Sequence, residues 1–198
     1  YIRIGGCRPF RCEMWEHNIS PVRKLLTARE LGHSQWFQVV GLLLPAEEKI
    51  SSLPQEYLVD WQDIVPVPPE QSQGWVTYPR MLSFDIECYS DNHRAMPDKH
   101  KSLHVVTMIS CIYQRYQKPE TLQRYAIVLG DCHDVPSATR LIRVKTEVEL
   151  IFAFCALVNE LDPEIVTGYN VLGFDIPYLD YRLGRRLKRW PVMGRLLE

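Results

Sequence analysis

The order of patterns along the chain predicts an α/β fold, a mixed sheet flanked by helices and preceded by a small α/β module. Three observations carry this. A proline-rich break, Ile64 to Gly74, separates two differently patterned stretches. Three strand-like segments then follow in succession, Met81 to Cys88, His104 to Tyr113 and Arg124 to Leu129. After them come a helix, a short strand and a second helix.

Each element has a local reason. Arg8 to Trp15 has strand-like content. Ser20-Pro21 reads as an N-cap with proline at the first helical position, Val22, Leu25 and Leu26 share a helical face, and Gly32 suits the stop. Trp36 to Leu44 is apolar, β-branched and aromatic, a returning strand. Pro66, Pro68 and Pro69 cannot continue a helix or sit in a central strand, so the break reads as a linker, dividing the chain at 1–74 and 75–198. Beyond it, Arg140 to Val144 is a short fourth strand. Thr146 to Leu161 is a helix, because Val148, Ile151, Phe152, Cys155, Leu157 and Val158 recur at its period behind an N-cap at Thr146. Ile165 to Tyr169 is a strand and Ile176 to Trp190 the last helix.

With 198 residues, 46% hydrophobic and 24% charged, the composition is that of a soluble globular chain and excludes disordered or collagen-like classes. At this length about 70% of the unfolded surface can be buried, enough for a real core. Lys+Arg of 23 against Asp+Glu of 24 leaves a net charge of -1. Nucleic-acid handling therefore cannot rest on overall basicity; it needs a local patch or a catalytic constellation. Cys7, Cys12, Cys88, Cys111, Cys132 and Cys155 form no C-x-x-C pair and read as reduced thiols of an intracellular protein. Asn18-Ile19-Ser20 matches a glycosylation acceptor, but Pro21 follows and nothing else looks secreted. The longest apolar runs are too short to span a membrane, and no signal peptide is expected. Tyr1 at one end and a charged, helical stretch at the other suggest a piece of a longer protein.

Acidic pairs two residues apart are common in such a chain, and context separates them. Glu147 and Glu149 sit at a helix start, where acids complement the dipole, and Asp162 and Glu164 flank Pro163 in a turn. Asp85 and Glu87 lie inside an apolar strand, where residues i and i+2 project from one face. Burying two like charges costs several kcal/mol unless something neutralises them. Either basic residues or an exposed strand end relieve that cost, or the pair ligates a hard divalent cation, Mg²⁺ or Mn²⁺. A second constellation, Thr167-Gly168-Tyr169-Asn170-Val171-Leu172-Gly173-Phe174-Asp175-Ile176-Pro177, runs from strand through turn to helix. Taken alone, Asp175 reads as an N-cap and Asn170 as a turn residue.

Taken together, Phe84-Asp85-Ile86-Glu87 and, about 80 residues later, Tyr169-Asn170 with Phe174-Asp175 resemble the first two exonuclease motifs of B-family DNA polymerases, in their delta-like and large-DNA-virus branches. Asn18-Ile19, Pro21, Gly32 and Trp36 resemble the segment preceding that exonuclease. The resemblance implies a ribonuclease-H-like sheet, incomplete at its C-terminus, and 3′→5′ proofreading of DNA with two Mg²⁺ or Mn²⁺ ions. It implies that Asp85 touches both ions, that Glu87 and Asp175 each serve one, and that Asn170 and Phe174 position the single-stranded 3′ end. Its implied partners are DNA, the rest of the polymerase chain and processivity or accessory subunits, in a nucleus or viral replication site, with no membrane. The family's third motif, a tyrosine four residues before an aspartate, is absent, since no tyrosine here has Asp at i+4. The chain alone is therefore expected to be nearly inactive.

Arg182, Arg185, Arg186 and Arg189 fall at one helical face as a basic stripe beside Lys188, with Leu179, Leu183 and Leu187 on another. DNA phosphate contact and a solvated basic face both remain open for the stripe. His93, His100 and His104 with Asp91 and Asp98 fit no zinc spacing. Tyr113, Tyr116 and Tyr125 read as strand and core residues. A stand-alone nuclease of the same superfamily and a non-catalytic nucleic-acid-binding module are the alternatives.

Overall fold

The computed structural model describes residues 18–133, 135–184 and 188–197. They form two compact units, one running to Trp75 and including Leu197, the other Val76–Leu196. The expected strand over 8–15 lies outside the described residues.

In the first unit, helix α1 (Pro21–Ala28) has Ser20 as N-cap, its hydroxyl accepting from Arg23 N at 3.3 Å, and proline in its first turn. The helix stops earlier than Gly32. Glu30, at φ 53, takes the left-handed conformation that reverses the chain. Leu25 and Leu26 are half-buried, but Val22 is exposed. The strand expected over 36–44 is two short strands, β1 (Phe37–Gln38) and β2 (Leu42–Leu43). They part at Gly41, where a Cβ would stand 2.7 Å from Val59 Cγ2 and 3.0 Å from the Leu58 carbonyl. β2 pairs with β3 (Tyr57–Leu58), and β1 with β4 (Val65–Pro66). The proline-rich segment is thus no free linker at its start. Pro66 is tolerated because a two-stranded ribbon has only edges, and buried Val67 donates its N–H to the Trp36 carbonyl at 2.8 Å.

The second unit is built on a five-stranded mixed sheet. Its strands are β5 (Arg80–Cys88), β6 (Val106–Arg115), β7 (Lys118–Leu129), β8 (Thr139–Val144) and β9 (Ile165–Thr167), in the order β8-β7-β6-β5-β9. β5, β6 and β7 run antiparallel; β8 lies parallel to β7 and β9 parallel to β5. β7 starts six residues before the expected strand, because a tight turn with Gln117 at φ 56 lets the hairpin pair almost to its tip. Helix α2 (Glu147–Leu161), capped by Thr146, is apolar nearly all round and buries Leu150, Ile151, Phe154, Cys155, Leu157 and Val158. Phe152, expected in that face, is exposed. Helix α3 (Asp175–Gly184) buries Tyr178, Leu179 and Leu183.

The core lies between the sheet and these two helices. Leu82, Phe84 and Ile86 point into it from β5, with the Phe84 ring 4.8 Å from that of Phe154. Tyr113 and Tyr125 are core residues, whereas Tyr116 is exposed. No described helix is long and apolar enough to cross a membrane.

Candidate functional site

β5 alternates strictly. Leu82, Phe84 and Ile86 are buried, while Asp85 and Glu87, each next to Ile86, are exposed. The two carboxylates therefore share the face turned away from the core, and the cost of burying like charges does not arise. No ion pair among the described residues involves either of them. They are left to solvent or to a ligand.

Asp175 reaches the same strand from α3. β9 pairs with β5 only as far as Ser83 opposite Thr167, so the next amides on that edge of β5 have no strand partner. Asp175 supplies one, its Oδ1 accepting from Ile86 N at 3.1 Å, across 89 residues of sequence. It is the first residue of the helix, and the described geometry makes it the cap of a sheet edge rather than an N-cap. Asp175 is 2% exposed, and burial raises the pKa of its carboxyl. The hydrogen bonds from Ile86 N and its own amide oppose that rise, and the nearby Asp85 charge adds to it. The three acids thus occupy one locality, at the C-terminal ends of two adjacent parallel strands. Open α/β sheets bind ligands at such ends.

The turn between β9 and α3 is locked. A Cβ on Gly168 would come within 2.4 Å of the Phe84 carbonyl and of Val171 Cγ1, so only glycine lets the chain pass this close to β5. Asn170 adopts φ 53, and its carbonyl accepts from Gly173 N and Phe174 N at 2.9 Å each. Its side chain is exposed. Phe174 is half-buried, its ring 5.4 Å from that of Tyr178. Tyr169, at 91% exposure, and Leu172 stand out on this turn, an exposure that sequence patterning did not single out.

The basic stripe is not one helical face. Arg182 is 3% exposed, and its Nε donates to Glu147 Oε1 at 2.7 Å. This corrects its reading as a DNA contact, because its position seven residues after Asp175 turns it toward the core. Arg185 and Arg186 lie outside the described residues. Arg189 is exposed but lies beyond the end of α3. Glu147, read as a first-turn acid, is buried as the partner of Arg182. His104 is buried too. Its Nδ1 accepts from Asp98 N at 2.8 Å while Nε2 meets Asp91 Oδ1 at 2.8 Å, so it organises the loop 89–105 instead of ligating a metal. Burial pushes the thiols of Cys88 and Cys111 up to about 12 and that of Cys155 to about 11, which removes them as nucleophiles at neutral pH.

The donor chemistry of the acids suits a hard cation. All three are carboxylates, and two are exposed and unpaired on a rigid strand. Among the described residues no three His, Cys, Asp or Glu side chains close into a ready cage. Mg²⁺ is ordinarily held by one or two carboxylates with substrate phosphate oxygens completing the shell, so an open set of this kind fits it.

The mixed five-stranded sheet with helices packed on its core face is a ribonuclease-H-like architecture. The family model "DNA polymerase family B, exonuclease domain" matches residues 12–198, and the chain belongs to that family. It is 33% identical over 184 residues to DNA polymerase 120R of Invertebrate iridescent virus 3, covering 89% of this chain and 16% of that protein. It is 27% identical over 199 residues to the DNA polymerase delta catalytic subunit of Bos taurus, covering 99% of this chain and 18% of that one. A family B DNA polymerase structure from the hyperthermophilic archaeon Pyrobaculum calidifontis shares the fold, with a TM-score of 0.59 and 21% identity over 89% of this chain and 19% of that chain. The chain thus spans less than a fifth of the length of these relatives.

Proposed function

We propose that residues 75–198 are part of a 3′→5′ exonuclease domain that removes mispaired nucleotides from DNA within a longer family B DNA polymerase, and that residues 1–74 form its N-terminal module. One observation carries the reading. Unpartnered Asp85 and Glu87 stand on one strand, and Asp175 is hydrogen-bonded to the amide between them.

In this reading Asp85 would hold both of two Mg²⁺ or Mn²⁺ ions, with Glu87 holding one and Asp175 the other. Bound there, the ions supply a nucleophile at neutral pH and neutralise the leaving oxygen. The protein's own contribution is placement. β5 fixes the spacing of Asp85 and Glu87, and the Ile86 amide fixes Asp175. Asn170 and Phe174, on the locked turn, flank the 3′ end, and exposed Arg189 with Arg185 and Arg186 is offered to the phosphate backbone. The substrate is the single-stranded 3′ end of DNA, and the partners are the rest of the chain and accessory subunits, in a nucleus or viral replication site. The chain alone, without a third motif, digests DNA poorly. The test is excision of a mispaired 3′ terminus by the full-length protein carrying Asp85→Ala and Glu87→Ala. Excision falls at least about a hundredfold on this account. Unchanged excision refutes it.

A further inference from the structure

Helix α3 grips its surroundings at two places, the site strand and the loop that follows it. Asp175, in its first turn, takes the Ile86 amide. Seven residues on, about two turns, Arg182 faces the same side. Its Nε and Nη2 donate to the two oxygens of Glu147 at 2.7 and 2.8 Å. Its Nη1 reaches the carbonyls of Lys101 at 2.9 Å and Lys99 at 3.4 Å, and its Nη2 that of Ser102 at 3.3 Å. Glu147 Oε1 also accepts from Val106 N at 2.9 Å. Between the two grips, the Tyr178 hydroxyl donates to the His104 carbonyl at 2.7 Å.

Arg182, Glu147 and Tyr178 hold residues 99–106, the segment that brings the chain back from Glu87 into β6. That return is irregular. Glu87 stands opposite Met108 but Cys88 opposite Val106, and Thr107 Oγ1 donates to the Glu87 carbonyl at 3.0 Å. A buried ion pair is no general source of stability, since apolar side chains of similar volume often do as well. An arginine fork does something they cannot, which is to fix several oxygens in one plane at once.

We propose that Arg182 and Glu147 are positioning residues of the carboxylate site, locking the return loop to α3 and so setting where Glu87 stands relative to Asp175. The inference rests on the nuclease reading above and assigns these two residues a role in it.

The test uses the full-length protein with Arg182→Lys, which keeps a charge beside Glu147 but loses the fork. Amide exchange across 85–88 and 103–107, read by mass spectrometry, speeds by about tenfold or more. The Mn²⁺ concentration giving half-maximal excision rises about ten- to a hundredfold, as loss of groups that orient ligands commonly does. Where Arg182→Lys fails to fold, Glu147→Gln combined with Arg182→Met, which removes both charges, is read in the same way. A folded variant with unchanged exchange and unchanged Mn²⁺ demand overturns the proposal. The Asp85→Ala, Glu87→Ala protein runs beside it. Normal excision there refutes the nuclease reading, whereas its loss beside a normal Arg182 variant refutes only the positioning role.

Discussion

The Arg182–Glu147 pair lends itself to a double-mutant cycle on stability. The perturbations are Glu147→Gln, Arg182→Met and both together. Glu147→Gln keeps an acceptor for Val106 N but leaves the guanidinium buried without a counter-charge. Arg182→Met leaves the carboxylate buried with only that amide. Removing one partner of a buried pair costs about 3–5 kcal/mol, whereas removing both charges can be close to neutral. The side chains are 3% and 6% exposed, so solvent relieves little of the single-mutant cost. The double variant does lose the donor to the Lys99, Lys101 and Ser102 carbonyls, but that loop lies near the surface and water can replace it. Each single change should therefore lower stability by about 3 kcal/mol or more. The double should cost no more than either single, a coupling energy of at least about 3 kcal/mol. Urea unfolding followed by circular dichroism reads all four corners. Additive singles of less than about 1 kcal/mol each would refute the picture of a desolvated, interdependent pair.

Four further outcomes follow from the same structure. Burial raises the Asp175 pKa, so its charge works against the fold. Stability from the protonated form is complete below about pH 4 and is lost as pH rises through the folded pKa. Asp175→Asn, which keeps an acceptor for Ile86 N, should then melt higher than the parent at pH 7 and level with it below about pH 4; a lower melting point at pH 7 contradicts this. Glu164 behaves oppositely. Arg80 first, and Arg195 with it, hold its carboxyl down at about 2, so the stability it lends is present above about pH 4.5 and lost as pH falls toward 2. Because this network is partly exposed, Glu164→Gln should cost only about 1 kcal/mol at neutral pH, and 1 M salt should shrink the cost; a salt-independent loss argues against an ionic origin. Phe154→Ala, in the fully buried centre of α2, should cost about 3–5 kcal/mol in the same urea assay, and a loss under about 1 kcal/mol would place the core elsewhere.

Much of this was legible in the sequence, for identifiable reasons. β5 showed because its period-2 burial survives two carboxylates, and α2 because six of its apolar residues recur at helical spacing. The site acids showed as two motifs about 80 residues apart. What did not show depends on partners distant in sequence. Nothing near Asp175 says that its oxygen caps the Ile86 amide, and nothing near Glu147 says that it waits for Arg182, 35 residues later. Arg182 was misread because periodicity gives a face but not which side meets the core, and Arg189 because the chain there is no longer helical. The β6–β7 turn was missed because Gln117, not glycine or asparagine, takes its positive φ. Pro66 concealed β4, since a proline-rich segment can still pair along an edge.

The central claim is that Asp85, Glu87 and Asp175 make one divalent-metal site, and paramagnetic line broadening of backbone amides by Mn²⁺ tests it most directly. The account predicts that broadening begins at the amides of residues 85–87 and 175 and is lost with Asp85→Asn and Glu87→Gln. Broadening that begins elsewhere, such as at Glu47 and Glu48, or that survives those substitutions, would contradict it.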